Sequence, residues 1–199
     1  MKLIRETNLR EFADSFWKRQ ADKSCSNDAE ALSNIQQGGP ALKWHVNLYP
    51  YKLPKLVNDL LLLEKIETGY ELNELMIYDR MLCDDWMKKR FGDLLPKTRR
   101  LGHLAEFFLS RGYFEKDWPD TQAKLFKEWK DKSSLEGLID EAKGLPLVQM
   151  TWPGEYEIVD GWGRLLAMAA LLRKGLEFSP FKCFVATRKT RADERAASQ

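Results

Sequence analysis

The sequence offers little metal or thiol chemistry. Its 199 residues include three cysteines, Cys25, Cys83 and Cys183, and two histidines, His45 and His103. No Cys-x-x-Cys pair occurs, and the cysteines lie far apart. Both a zinc site and a disulfide framework are therefore disfavoured. Reduced thiols in a cytoplasmic protein are the expectation. An excess of one charge sign is also missing, since the formal net charge is only +2. Attraction to nucleic acid would have to come from a local basic patch. Long apolar runs are absent too. The leucines from Leu60 to Leu63 are far too few to span a bilayer, so no membrane insertion is expected. The opening Met1-Lys2-Leu3-Ile4-Arg5-Glu6 meets charge before any apolar core and does not read as a signal peptide.

What remains is ample material for one well-buried domain. Hydrophobic content is 44% and charged content 31%, with seven tryptophans and ten phenylalanines. Asn8 and Glu11 resemble a capping box opening a helix, and a second short helix fits Asn27 to Ile35. Gln36-Gln37-Gly38-Gly39-Pro40 is a break. Trp44 to Leu48 alternates like a half-buried strand. Helices are expected over Leu53–Ile66 (closed by Gly69), Leu72–Phe91, Thr98–Arg111, Pro119–Lys132 and Ser134–Lys143 (stopped by Gly144). The pattern then changes. Leu145–Met150 reads as a strand, Trp152-Pro153-Gly154 as a turn, and Tyr156–Val159 as a strand. Trp162–Lys174 reads as a helix and Pro180–Ala186 as a last strand. The result is an α+β domain with a small mixed sheet. Its expected organisation is an N-terminal helical segment (1–40), a single domain (41–190) and a tail (191–199) that frays.

The candidate site is Glu157-Ile158-Val159-Asp160-Gly161-Trp162-Gly163-Arg164, where a strand meets a helix through a glycine elbow. Gly161 and Gly163 remove Cβ atoms where the chain turns and a ligand would approach. The helix beyond presents N–H groups that lack partners within it, and Arg164 adds a guanidinium; both suit phosphate. Asp160 would repel phosphate, so its possible tasks are to orient Arg164, hold a divalent metal or position water. Glu157 falls three residues earlier, on the opposite side of the strand if pairing is regular, and Glu155 shares its side. Trp162 can stack on a base or cap the edge of the core. The bland alternative is equally concrete: Asp-Gly is an ordinary turn dipeptide, Asp an ordinary helix cap, and Arg one turn in an ordinary surface cation. Two small basic clusters, Lys97/Arg99/Arg100 and Lys182/Arg188/Lys189/Arg191, suit either a DNA backbone or a solvated surface. His103 is read as a helix residue without a catalytic part.

These residues resemble the ParB/sulfiredoxin superfamily. The matching stretches are Leu145-Pro146-Leu147-Val148, Ile158 to Arg164 around Asp160-Gly161-x-x-Arg164, the Ala-rich Leu165 to Ala170, and Phe181 to Val185. The helices from about 70 to 134 then look like an inserted region. Trp162 stands where sulfiredoxins carry their cysteine, which excludes sulfinic-acid repair. Trp162-Gly163 replaces the Glu-Arg of chromosome-partitioning members, and no helix-turn-helix follows, which argues against clamping on a specific DNA site. In size and arrangement the chain is similar to the plasmid-encoded oncogenic-suppression, or fertility-inhibition, subgroup. That resemblance implies an ATPase with DNA-cleaving activity that blocks conjugative or T-DNA transfer of another plasmid. It implies catalytic roles for Asp160, Arg164 and Glu157, nucleotide contacts from Gly161, Trp162, Gly163 and Arg164, and ATP or another nucleoside triphosphate with Mg2+. DNA would be bound largely without sequence preference, and a type IV secretion or conjugation component is a possible partner. The metal ligands and the choice between ATP and CTP stay open. The other hypothesis is a non-enzymatic inhibitor that docks on such a component through the helical insertion. A serine-kinase-like phosphoryl transfer is a third.

Overall fold

Residues 1–7, 11, 60–77, 98–116, 120–139 and 144–187 are described in a computed structural model of the chain. Expectations at Asn8–Glu11, 27–35, 36–40, 44–48, 53–59, 78–91 and beyond 187 lie wholly or largely outside those residues. The described part is an α+β fold with a six-stranded mixed sheet and four α-helices. The strands are β1 (Lys2–Thr7), β2 (Leu60–Ile66), β3 (Met76–Ile77), β4 (Leu147–Trp152), β5 (Glu155–Asp160) and β6 (Phe181–Thr187). The helices are α1 (Gly69–Glu74), α2 (Leu101–Ser110), α3 (Thr121–Trp129) and α4 (Trp162–Arg173), with a 3-10 turn at Tyr113–Glu115. Sheet order is β1-β2-β6-β4-β5-β3. Only the β4/β6 and β3/β5 pairs are parallel.

The C-terminal part follows the sequence pattern. β4 and β5 form a hairpin through Pro153-Gly154, α4 crosses over, and β6 returns beside β4 and parallel to it. Every residue from Leu165 to Leu171 is buried. A helix that is apolar all round must be covered all round. The sheet and helices α2 and α3 do this, so α2 and α3, both within the stretch expected as an insertion, form a layer over α4. Each large apolar side chain sealed there contributes about 1.5–3 kcal/mol. β6 is buried on both faces, at Phe181, Cys183 and Val185 on one side and Phe184 and Ala186 on the other.

Three expected helices are corrected. Leu60–Ile66 is a strand between β1 and β6, not the end of a helix. Leu61, Leu62 and Leu63 are consecutive and all buried, so both faces of the strand are covered. A continuous apolar run of this length suits an interior strand as well as a helix, and periodicity cannot tell them apart. Gly69 opens α1 instead of closing a helix. The cue is Thr68-x-x-Glu71, a full capping box: the Thr68 hydroxyl accepts from the Glu71 amide, and the Glu71 carboxylate accepts from the Thr68 amide. Burial alone would raise the Glu71 carboxyl. Hydrogen bonds from the Met1 ammonium and the amides of Glu67 and Thr68 outweigh that and hold it below the usual carboxylate range. Thr68→Ala is expected to lower stability by about 1 kcal/mol in urea unfolding, since the cap is lost.

The second correction is Leu72–Phe91. The helix stops at Glu74, Leu75 turns extended, and Met76–Ile77 pairs with Glu157 and Ile158 of β5. The third is Ser134–Lys143. Residues 134–139 form a turn in which the Leu135 amide donates to the Glu177 carbonyl at 2.9 Å. Residues 140–143 lie outside the described residues; Gly144 is left-handed (φ 82°) and leads into β4. α2 begins at Leu101 without a side-chain cap. The Thr98 hydroxyl accepts instead from the Arg100 amide and contacts His103 Nδ1 at 3.1 Å.

Candidate functional site at the glycine elbow

Gly161 adopts φ 85°, a conformation that L side chains rarely reach, and serves as N-cap of α4. A Cβ there would lie 3.3 Å from Pro146 Cα and 3.2 Å from Arg164 Nη2. The elbow therefore needs glycine for backbone and packing reasons before any ligand is considered. Gly163 differs. It has a helical backbone, and an added Cβ would meet Gln122 Oε1 at 3.4 Å and Thr121 Cβ at 3.7 Å, which is ordinary contact. The fold has room for a methyl group at Gly163, and alanine is the better helix former. An added methyl would fill the space between the first turns of α4 and α3.

Two helices begin there. The backbone nitrogen of Gln122, in the first turn of α3, is 3.7 Å from the Cβ position at Gly163. Neither α3 nor α4 has a side-chain hydrogen bond closing its N-terminus. Each helix end carries a partial positive charge, and a carboxylate stands just before each, Asp120 before α3 and Asp160 before α4. Asp120, the N-cap of α3, turns its carboxylate to the Tyr113 hydroxyl, 2.9 Å away. Gln122 Nε2 donates to the same hydroxyl oxygen at 2.7 Å. Tyr113 is held by Phe108 and Phe114, whose ring centroids lie 4.9 Å and 5.2 Å from its own.

Arg164 stands in the first turn of α4. Its Nη1 donates to the Gly144 carbonyl at 2.6 Å, tying the chain before β4 to the helix start. The guanidinium thus has a part in the fold that the motif alone did not show. Asp160 is the last residue of β5, half-buried and immediately before the elbow. The β4/β5 register shifts between Leu147 and Val148: Leu147 faces Asp160 while Val148 faces Ile158. The extra residue, Val159, cancels the expected alternation. By register, Asp160 falls on the same side as Glu157, not the opposite one.

Glu157 is buried within the sheet, opposite Gln149 of β4 and Met76 of β3, and its Oε1 lies 3.6 Å from Arg99 Nη1. The structure gives this carboxylate a charged partner well down the strand from the elbow. Trp162 is half-buried and packs on the core edge. Of the basic cluster at Lys97, Arg99 and Arg100, Arg99 meets Glu157 and Arg100 pairs with Glu74, while Lys97 lies outside the described residues. In the second cluster only Lys182, half-buried on β6, is described. No group of three or more His, Cys, Asp or Glu that could hold a metal occurs among the described residues. No helix among them is long and apolar enough to cross a membrane.

The sequence reading did not find Gln122, Tyr113, Asp120 or Gly144. The one available signal was Asp120 after Pro119, at the start of an expected helix. The class that fold and site define is thus a mixed α+β protein with a glycine elbow leading into a buried helix. Comparison with protein-family models, with curated proteins and with solved structures finds no match in any of the three.

Proposed function

We propose that the elbow binds the phosphates of a nucleoside triphosphate and that the chain is a phosphohydrolase of the ParB/sulfiredoxin kind. The observation that carries this is the meeting of two uncapped helix N-termini around Gly163, with Arg164 in the first turn. Backbone amides and a guanidinium supply the charge-assisted donors a polyphosphate requires. Gly161, Trp162, Gly163 and Arg164 hold the nucleotide, with Trp162 placed to stack on its base or ribose. Asp160 is the carboxylate beside the phosphates. It suits either water orientation or a single bond to a phosphate-bound Mg2+, which commonly takes only one or two protein carboxylates. Bound Mg2+ would shield phosphate charge. Glu157, paired with Arg99, supports the sheet beneath Asp160 more readily than it reaches a phosphate. The same chemistry extends to DNA phosphates, and hence to cleavage that blocks transfer of another plasmid's strand.

A second reading, a non-enzymatic inhibitor docking on a transfer component, gains from one observation. Two of the three cations in the first basic cluster already pair with carboxylates of the fold. The test is nicking of supercoiled plasmid across a salt series. A DNA-cutting enzyme of this low net charge should lose affinity with salt at a slope near one unit per phosphate contacted. Reversal of Arg188, Lys189 and Arg191 to Glu should flatten that slope. Cleavage unmoved by that reversal and by salt contradicts DNA cutting by this chain and favours the docking reading.

A further inference from the structure

We propose that Gln122 is a positioning residue of the elbow, its side-chain oxygen holding the water that attacks the bound phosphate. The proposal rests on the nucleotide reading above. Gln122 is 2% exposed, an unusual place for an amide, and its hydrogen bonds are directional. Nε2 donates to the Tyr113 hydroxyl oxygen at 2.7 Å, and that hydroxyl lies 2.9 Å from Asp120 Oδ2. The direction follows from proton counting. An ionised carboxylate only accepts, so the single proton of Tyr113 goes to Asp120. What the phenol oxygen then receives must come from the NH2 of Gln122. Oε1 is thereby turned the other way. It sits 3.4 Å from the Cβ position of Gly163, over the first turn of α4.

An acceptor oxygen beside the first turn of α4 repels phosphate and attracts a group with hydrogens to donate. At a phosphate site that group is water. In the step itself, the water oxygen forms the new bond to the terminal phosphorus. The bond from phosphorus to the bridging oxygen breaks, its electron pair staying on the departing diphosphate. The water proton passes to the released phosphate. Gln122 exchanges no proton; it orients the water, and Tyr113 with Asp120 orients Gln122.

The test uses the full chain with ATP and Mg2+. Gln122→Leu is close in volume and leaves the Tyr113–Asp120 bond in place. Phosphate release should fall on the order of a hundredfold. ATP affinity by calorimetric titration and the thermal midpoint should stay at wild-type values. Tyr113→Phe leaves Gln122 present but untied and should lower turnover by a smaller factor. Unchanged turnover in Gln122→Leu overturns the assignment, as does weaker binding with unchanged turnover of the bound complex. If Gln122→Leu fails to fold, Tyr113→Phe decides, and full turnover there overturns it. A wild-type protein that binds no ATP is a separate result, which removes the nucleotide reading itself.

Discussion

Arg164→Ala is expected to abolish nucleotide turnover, weaken ATP binding and lower stability together. Two contacts are lost at once. The first is the proposed charge-assisted contact to phosphate, worth about 1.5–3 kcal/mol, or roughly ten- to a hundredfold in affinity. The second is the 2.6 Å bond from Nη1 to the Gly144 carbonyl, which joins the lead-in of β4 to the first turn of α4. A hydrogen bond from a charged group to a carbonyl is worth a similar amount. The motif alone would have left the fold untouched. Arg164→Lys separates the two roles, because lysine keeps the charge but loses the planar fork. ATP titration and thermal unfolding of both variants provide the measurement. Lower stability with unchanged affinity would assign Arg164 to the fold alone.

Asp160→Ala is expected to act in the opposite sense on binding. Removing a carboxylate beside the phosphates should keep or raise affinity for ATP titrated without Mg2+, while hydrolysis and DNA cleavage fall on the order of a hundredfold or more. The cap of α4 is Gly161, so Asp160 closes no helix with its side chain. Its charge near a helix N-terminus contributes about 0.3–1 kcal/mol to the fold. A thermal midpoint near wild type with lost turnover marks a chemical role. Parallel loss of folding and binding marks a structural one.

The elbow was legible because its cues are local. Asp160-Gly161 ends a strand, Gly175 follows a helix, and Leu165 to Leu171 is apolar without a polar stripe. β5, α4 and β6 follow from such short-range patterns. Leu60–Ile66 was not legible in the same way, because four leucines in a row carry no period. Its neighbours β1 and β6 lie far off in sequence, and only they decide that it is a strand. The Thr68–Glu71 capping box was present and sufficient to place a helix start there, yet the following Gly69 was read as a stop. Met76–Ile77 illustrates a tertiary override: a helical pattern from Leu72 yields to an open edge of β5.

The candidate site divides along the same line. Asp160, Gly161, Gly163 and Arg164 are neighbours in sequence. Their partners Gly144, Tyr113, Asp120 and Gln122 come from other elements, so spacing alone could not associate them. The side on which Asp160 lies depended on a single bulge residue, Val159, which alternation cannot anticipate.

The most direct measurement is calorimetric titration of the full chain with ATP and Mg2+, comparing wild type with Gly163→Ala. The contacts around Gly163 admit the methyl group, and alanine favours the helix, so the thermal midpoint should hold or rise. If the first turn of α4 receives phosphate beside Gly163, wild type should bind saturably and Gly163→Ala at least tenfold more weakly. Equal affinity in the two proteins, or no binding by wild type, would contradict a phosphate site at the elbow.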